Sequence, residues 1–284
     1  MNSKILLSSL VLASGLVFTC GLLAQTPKVD FPAASPVCTL KQHVGLTDIE
    51  IVYSRPGVKG RPIFGGLVPY GQVWRTGANA STKISFSTAV KLNGTEVPAG
   101  QYALYTIPGK KEWTVIIHKD TAASIFNYNP TNDLVRFKAT PVKLAKPVET
   151  FTIDINDLRD ESATLNLTWE KTRVPVKLEV ELVSKLVPQI EAVMAAPEGN
   201  KPYYQAAMFY YDHGQDLEKA RKWIDAAIAQ REAYYIVHLK AKILAKLGDK
   251  EGAIAAAKHS TELAIKAKDT GYVKLNEDLI SSLK

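Results

Sequence analysis

Cysteine is nearly absent from this 284-residue chain: Cys20 and Cys38 are the only two, and Cys20 lies in an apolar N-terminal run. Once that run is set aside, Cys38 alone excludes a disulfide framework and a thiolate metal site. The specific catalytic signatures are missing too. No G-x-x-x-x-G-K-[ST] loop is present to cradle phosphates, and there is no G-x-G-x-x-G after a strand, no H-E-x-x-H pair and no G-x-S-x-G elbow. The five histidines, His43, His118, His213, His238 and His259, are scattered singly rather than at ligand spacing, so neither a metal site nor a cofactor is expected. Acid pairs such as Asp154 with Asp157 sit in "DINDLRDES", where turn formation accounts for them better than acid–base chemistry.

Charge is also missing from the first segment. Lys4 is the only charged residue before Lys28, and "ILLSSLVLASGLVFTCGLLA" is apolar and small. This reads as a secretory leader over residues 1–25 with cleavage near Ala24 or Gln25, followed by a linker over 26–36. The competing reading is a retained membrane anchor, because the run is nearly long enough to span a bilayer. Lipidation at Cys20 is a third, which Phe18 and Thr19 fit poorly. Export to the periplasm or medium is expected, with no stable membrane span after cleavage. Loss of the leader lowers the formal charge of +7 by one, so the mature chain stays basic. That favours anionic partners in general. Nucleic acid is not expected, since the basic residues form no helical run with interleaved aromatics.

The fold expected is α+β by segment. Over residues 37–182, "DIEIVYS", "KISFSTAVKL", "QYALYTI", "EWTVIIH", "LVRFKAT", "ETFTIDI", "ATLNLTW" and "VPVKLEVEL" alternate apolar and polar positions. Asn93-Gly94 and Pro108-Gly109 fall between them as turns, which predicts an antiparallel β-sandwich of eight strands. From residue 184 to 284 apolar positions recur at three and four, and five helical stretches follow, with Gly214 and Gly248 as stops. Those glycines stand 34 residues apart, and Ala220 and Ala253 fall where paired helices would touch, as in tetratricopeptide-like helical hairpins. A plain helical bundle is the alternative.

Acid is absent from a whole stretch: no Asp or Glu lies between Glu50 and Glu96. Inside it, "SRPGVKGRPIFGGLVPYGQVWRTGANAST" holds six glycines, three prolines and four basic residues. Tyr53, Ser54, Arg55, Arg61, Trp74, Arg75, Asn79 and Ser81 bracket this loop and are the candidate ligand-binding residues. Guanidiniums without local acids suit a carboxylate, sulfate or phosphate, and a Trp face suits a sugar ring. An anionic or carbohydrate ligand is therefore expected at the 54–82 loop, and a protein partner on the helical tail. The bland alternative is that the arginines tie the loop down by donating to carbonyls, with Trp74 in the core. Two further readings stay open: a cell-envelope hydrolase using Arg75 with Tyr53 or Ser54, and a purely structural protein.

The stretch "IVYSRPGVKGRPIFGGLVPYGQVWRTGANASTKISFS", with "VPAGQYALYTIPGKKEWTVIIHKD" and "ETFTIDINDLRDESATLNLTWEKTRVPVKLEV" after it, resembles a family of exported bacterial proteins catalogued as domain of unknown function 2911. The resemblance covers about residues 37–182. It implies an exported β-rich domain, often followed by helices, with no assigned activity and no catalytic residue to carry over. It also implies no fixed His at the position of His118.

Overall fold

Ten strands and then six helices make up the α+β fold in a computed structural model that describes residues 30–284. The leader and its cleavage site lie outside the described residues, and none of the described helices is long and apolar enough to cross a membrane. The larger sheet contains β1 (Val37–Val44), β2 (Thr47–Ser54), β3 (Thr82–Phe86), β6 (Gly100–Ile107), β7 (Trp113–His118) and β8 (Asp133–Ala139), in that order. The smaller sheet contains β5 (Thr95–Val97), β4 (Val90–Leu92), β10 (Ser162–Val180) and β9 (Val142–Asn156). All of the paired strands are antiparallel.

Side-chain alternation sets the two sheets face to face. Ile49, Ile51 and Tyr53 of β2, Trp113, Val115 and Ile117 of β7, and Phe151, Ile153 and Ile155 of β9 all enter one buried core. Its centre is aromatic: Trp74 stacks on Trp169 at 5.9 Å and 16°, while Phe64 meets Trp113 edge-on at 4.9 Å. Such pairings add to the large apolar area each ring already removes from water.

Strand number differs from expectation for local reasons. "KISFSTAVKL" is two strands in different sheets, because the chain crosses the sandwich between Phe86 and Val90. "ATLNLTW" and "VPVKLEVEL" are one strand, β10, interrupted by register shifts between Thr168 and Thr172, where Glu170 takes φ +51°. Alternation has period two, so an extra residue is what lets odd-numbered Leu165, Leu167 and Trp169 and even-numbered Val174, Val176 and Leu178 all face inward. β1 and β5 were not anticipated: β1 is an edge strand exposed on alternate positions and half-buried on the others until the buried Val44 at its end, and β5 has three residues. The Asn93-Gly94 hairpin forms with both residues at positive φ, as a type I′ turn requires.

The tail comprises α1 (Val183–Ala195), α2 (Tyr203–Asp212), α3 (Leu217–Gln230), α4 (Tyr234–Leu247), α5 (Lys250–Lys266) and α6 (Thr270–Ser282). α3 and α5 start alike: Asp216 and Asp249 cap them by accepting backbone N–H bonds. Gly214 and Gly248 adopt positive φ just before those starts, and Ala220 and Ala253 are fully buried where consecutive helices meet. α6 was not anticipated as a separate helix; Asp269 caps it within the sequence that follows α5. Residues 35–284 form one unit. At the junction His213, just past α2, sits 3.4 Å from Asp160 and 3.8 Å from Glu161 in the β9–β10 turn.

Candidate functional site

The acid-free loop between β2 and β3 is a strap that joins the two sheets. Its first part runs beside β9, the edge of the smaller sheet: Val58 N–H donates to the Glu149 carbonyl (2.8 Å), and Phe151 N–H to the Pro56 carbonyl (2.9 Å). Its last part joins β6, where Trp74 and Thr106 exchange backbone bonds of 2.7 and 2.9 Å. Between them Ile63, Phe64 and Val68 plug the core. Two glycines are needed for that path: a Cβ on Gly65, at φ +89°, would stand 2.6 Å from the Tyr70 ring, and one on Gly66 would stand 2.5 Å from the Pro62 carbonyl.

The eight candidate residues are not brought to one cleft. Arg55 donates from Nε to the Phe151 carbonyl (3.1 Å) and from Nη2 to Thr152 Oγ1 (2.9 Å). Arg61 donates to the Val58 carbonyl (3.1 Å) and the Gly57 carbonyl (2.6 Å). Tyr53 faces the core; its hydroxyl donates to the Ile153 carbonyl (3.2 Å) and accepts from Ile153 N–H (2.9 Å). Burial, the main cause, pushes that phenol up. Trp74 is in the core with Nε1 donating to the Gly77 carbonyl (3.0 Å). Asn79, at φ +58°, donates to the Ser35 carbonyl (3.2 Å) and to Ser54 Oγ (3.4 Å). Carbonyls of β9 and of the loop itself take most of these donors, while the Glu149 carboxylate beside the loop accepts from Lys59 N–H (2.9 Å).

Arg75 and Ser81 lead elsewhere. Trp74 points inward, so its neighbour Arg75 is directed to the outer face of the larger sheet, where Tyr105, next to Thr106, also stands. There Ser81 Oγ and Tyr105 Oη are 2.9 Å apart, and the Ala123 carbonyl accepts from both, at 2.9 and 2.8 Å. The loop carrying Ala123, residues 119–132, covers Tyr105, Ile116 and the fully buried His118 with Ile125 and Tyr128.

One carboxylate organises the rest. Asp133, opposite His118 in the β7–β8 ladder, accepts from His118 Nδ1 (2.9 Å), Tyr128 Oη (2.8 Å) and Arg136 Nε (2.5 Å). Burial and then Asp133 push the Tyr128 phenol up to about 12. Asp133 raises the Arg136 guanidinium as well, chiefly by that hydrogen bond. Because Asp133 accepts, Nδ1 of His118 carries the proton, and Nε2 is the free end of the ring.

That free end has no partner. His118 Nε2 and Arg75 Nε are two of three buried side-chain polar atoms, among the described residues, that make no hydrogen bond; the third is Asn166 Oδ1. Both lie on the same sheet face, with Tyr105 5.4 Å from the His118 ring. Beside Arg75, the fully buried Thr76 adopts φ +53°, a strained conformation for a β-branched residue, held by Thr82 Oγ1 donating to its carbonyl (2.6 Å). Sequence reading marked Arg75 and Ser81 but not Tyr105, Tyr128, Asp133 or Arg136. The available signal was in "EWTVIIH": with Trp113, Val115 and Ile117 inward, Ile116 and His118 must face out, and an outward Ile implies a covered face. Among the described residues no group of three His, Cys, Asp or Glu could hold a metal.

Fold and cluster together define a two-sheet antiparallel protein with a helical tail and a covered polar face on its larger sheet. The family model described as protein of unknown function (DUF2911) matches residues 35–178, half of the chain, and the chain belongs to that family. No curated protein and no solved structure matches it.

Proposed function

We propose that this is an exported binding protein whose sandwich takes a small anionic ligand, including an acidic sugar, at the outer face carrying Arg75, Tyr105 and His118. The carrying observation is the pair of buried nitrogens on that face, Arg75 Nε and His118 Nε2, which make no hydrogen bond. A buried polar group left unpaired costs about 1–3 kcal/mol, and two on one face are what a ligand oxygen would satisfy. Arg75 supplies a permanent donor. His118, oriented by Asp133, accepts from a ligand hydroxyl when neutral or donates when protonated. Arg75 is only half buried, so solvent reaches the cluster from its side. The strap carrying Arg55 and Arg61 serves as scaffold in this reading.

The helical tail takes a protein partner. Supporting this, Lys242 and Lys246 of α4 lie over the Tyr211 ring at 4.5 and 4.7 Å and, among the described residues, pair with no carboxylate. Export rests on the leader, and the N-terminal residue of the secreted protein tests it. The hydrolase reading has less support, because the Tyr53 hydroxyl is engaged at both ends by Ile153.

Thermal unfolding tests the ligand site with a panel of phosphate, sulfate and glucuronate. At a hundredfold excess over Kd the wild type gains about 2.7 kcal/mol, and Arg75→Gln loses that response while keeping its unliganded midpoint within a few degrees. A wild type insensitive to the whole panel, or an Arg75→Gln protein that responds equally, overturns the reading.

A further inference from the structure

A cavity of about 300 Å³ opens in the tail among the first turns of α2 and α4 and the end of α3. Among the described residues, no carboxylate lines it. Its polar wall is Lys201, Gln205, Gln230 and Arg231, its aromatic wall is Tyr204 and Tyr235, and buried Ala227 and Ile236 form an apolar floor. The two rings meet edge to face at 5.3 Å, which fixes one wall.

Every polar end in this wall is free. Among the described residues, Lys201 and Arg231 take part in no ion pair, and no side-chain hydrogen bond involves Gln205 or Gln230. The neighbouring acid Glu232 is turned away to His259 Nε2 at 2.9 Å. The helix ends add to the positive sign: α2 and α4 begin here without side-chain caps, against the single C-terminus of α3.

We infer that this cavity is a binding site for an acidic saccharide, a sugar unit bearing a carboxylate. Two cations suit the carboxylate. Amides, which both donate and accept, suit ring hydroxyls, and tyrosine faces suit the apolar face of a pyranose. The volume lies at the lower end for small-molecule sites, which fits one ring and not a peptide segment. The site is separate from the face around Arg75 and stands whether or not that face binds anything.

Isothermal titration of the whole protein with trigalacturonate, galactotriose and triaspartate tests it. Trigalacturonate is expected to bind more tightly than the other two and to weaken in about 0.5 M salt. Arg231→Gln and Lys201→Gln are each expected to lose about tenfold or more in affinity, while Arg75→Gln leaves this affinity unchanged. Neither side chain is in the core, and circular dichroism checks that the variants fold; Gln230→Ala provides a second, uncharged probe with a smaller loss. The inference is overturned if trigalacturonate gives no heat at millimolar concentration, if it binds Arg231→Gln and Lys201→Gln as it binds the wild type, or if triaspartate is preferred.

Discussion

Sheets and helices in this protein fill their interiors differently. The sandwich is packed with large rings, Trp74, Trp113, Phe151 and Trp169, and its polar groups are satisfied across long sequence separations, as when Arg55 reaches Phe151 and Thr152. The tail buries Ala207, Ala220, Ala227, Ala253 and Ala257 beside larger groups such as Tyr210, Ile224 and Ile243, and the starts of α3, α5 and α6 are satisfied locally by Asp216, Asp249 and Asp269. Large side chains hold two sheets about 10 Å apart; small ones let helices approach closely. The aromatic centre of the sandwich is therefore sensitive to volume removed, and the alanine contacts of the tail to volume added.

The sharpest way to probe this difference is Trp169→Ala. Trp169 is fully buried, stacks on Trp74 and donates to the Glu149 carbonyl at 3.2 Å. Denaturant unfolding should show a loss of about 3–5 kcal/mol; a loss below about 1 kcal/mol would mean that the aromatic centre is not what holds the sheets. Next is Ala253→Leu, which should cost about 1–3 kcal/mol by overpacking the contact between helices. A neutral result there would break the comparison, since the tail would then have space to spare.

The smallest effect concerns acid. Burial holds His238 below its ordinary value, partly opposed by its hydrogen bond to Asn276 (2.7 Å) and reinforced by Lys242. Its folded pKa is depressed, so below about pH 6.5 the unfolded chain takes up a proton that folded His238 resists, and stability falls as pH drops toward the folded value. His238→Gln should flatten that part of the stability–pH curve, read from chemical denaturation between pH 7 and 5. An unchanged curve would assign the acid sensitivity to other groups.

Legibility in the sequence followed the same division. Helices α1 to α5 could be read from spacing, because apolar stripes, stops and, where present, caps act within a few residues of one another. Most inner strands could be read from alternation. Other features could not: β1, which buries too little to alternate clearly; the three-residue β5; α6 as a separate helix; the continuity of β10 through its bulge; and the division of "KISFSTAVKL" between sheets. The loop was legible as a special segment but not in its role, since the Phe151 carbonyl and the Thr152 hydroxyl that receive Arg55 lie nearly a hundred residues away. The outer cluster depends on pairings between β6, β7 and β8 that no local window contains.

The extra residue in β10 also limits how this lineage can change. Strand β10 serves β9 along its first part and β4 at its far end, and both stretches face the core only because the count between Trp169 and Val174 is what it is. Deleting one residue there would turn Val174, Val176 and Leu178 out to solvent together. Insertions and deletions should therefore be purged from residues 169–173, even though that short stretch carries none of the proposed binding groups.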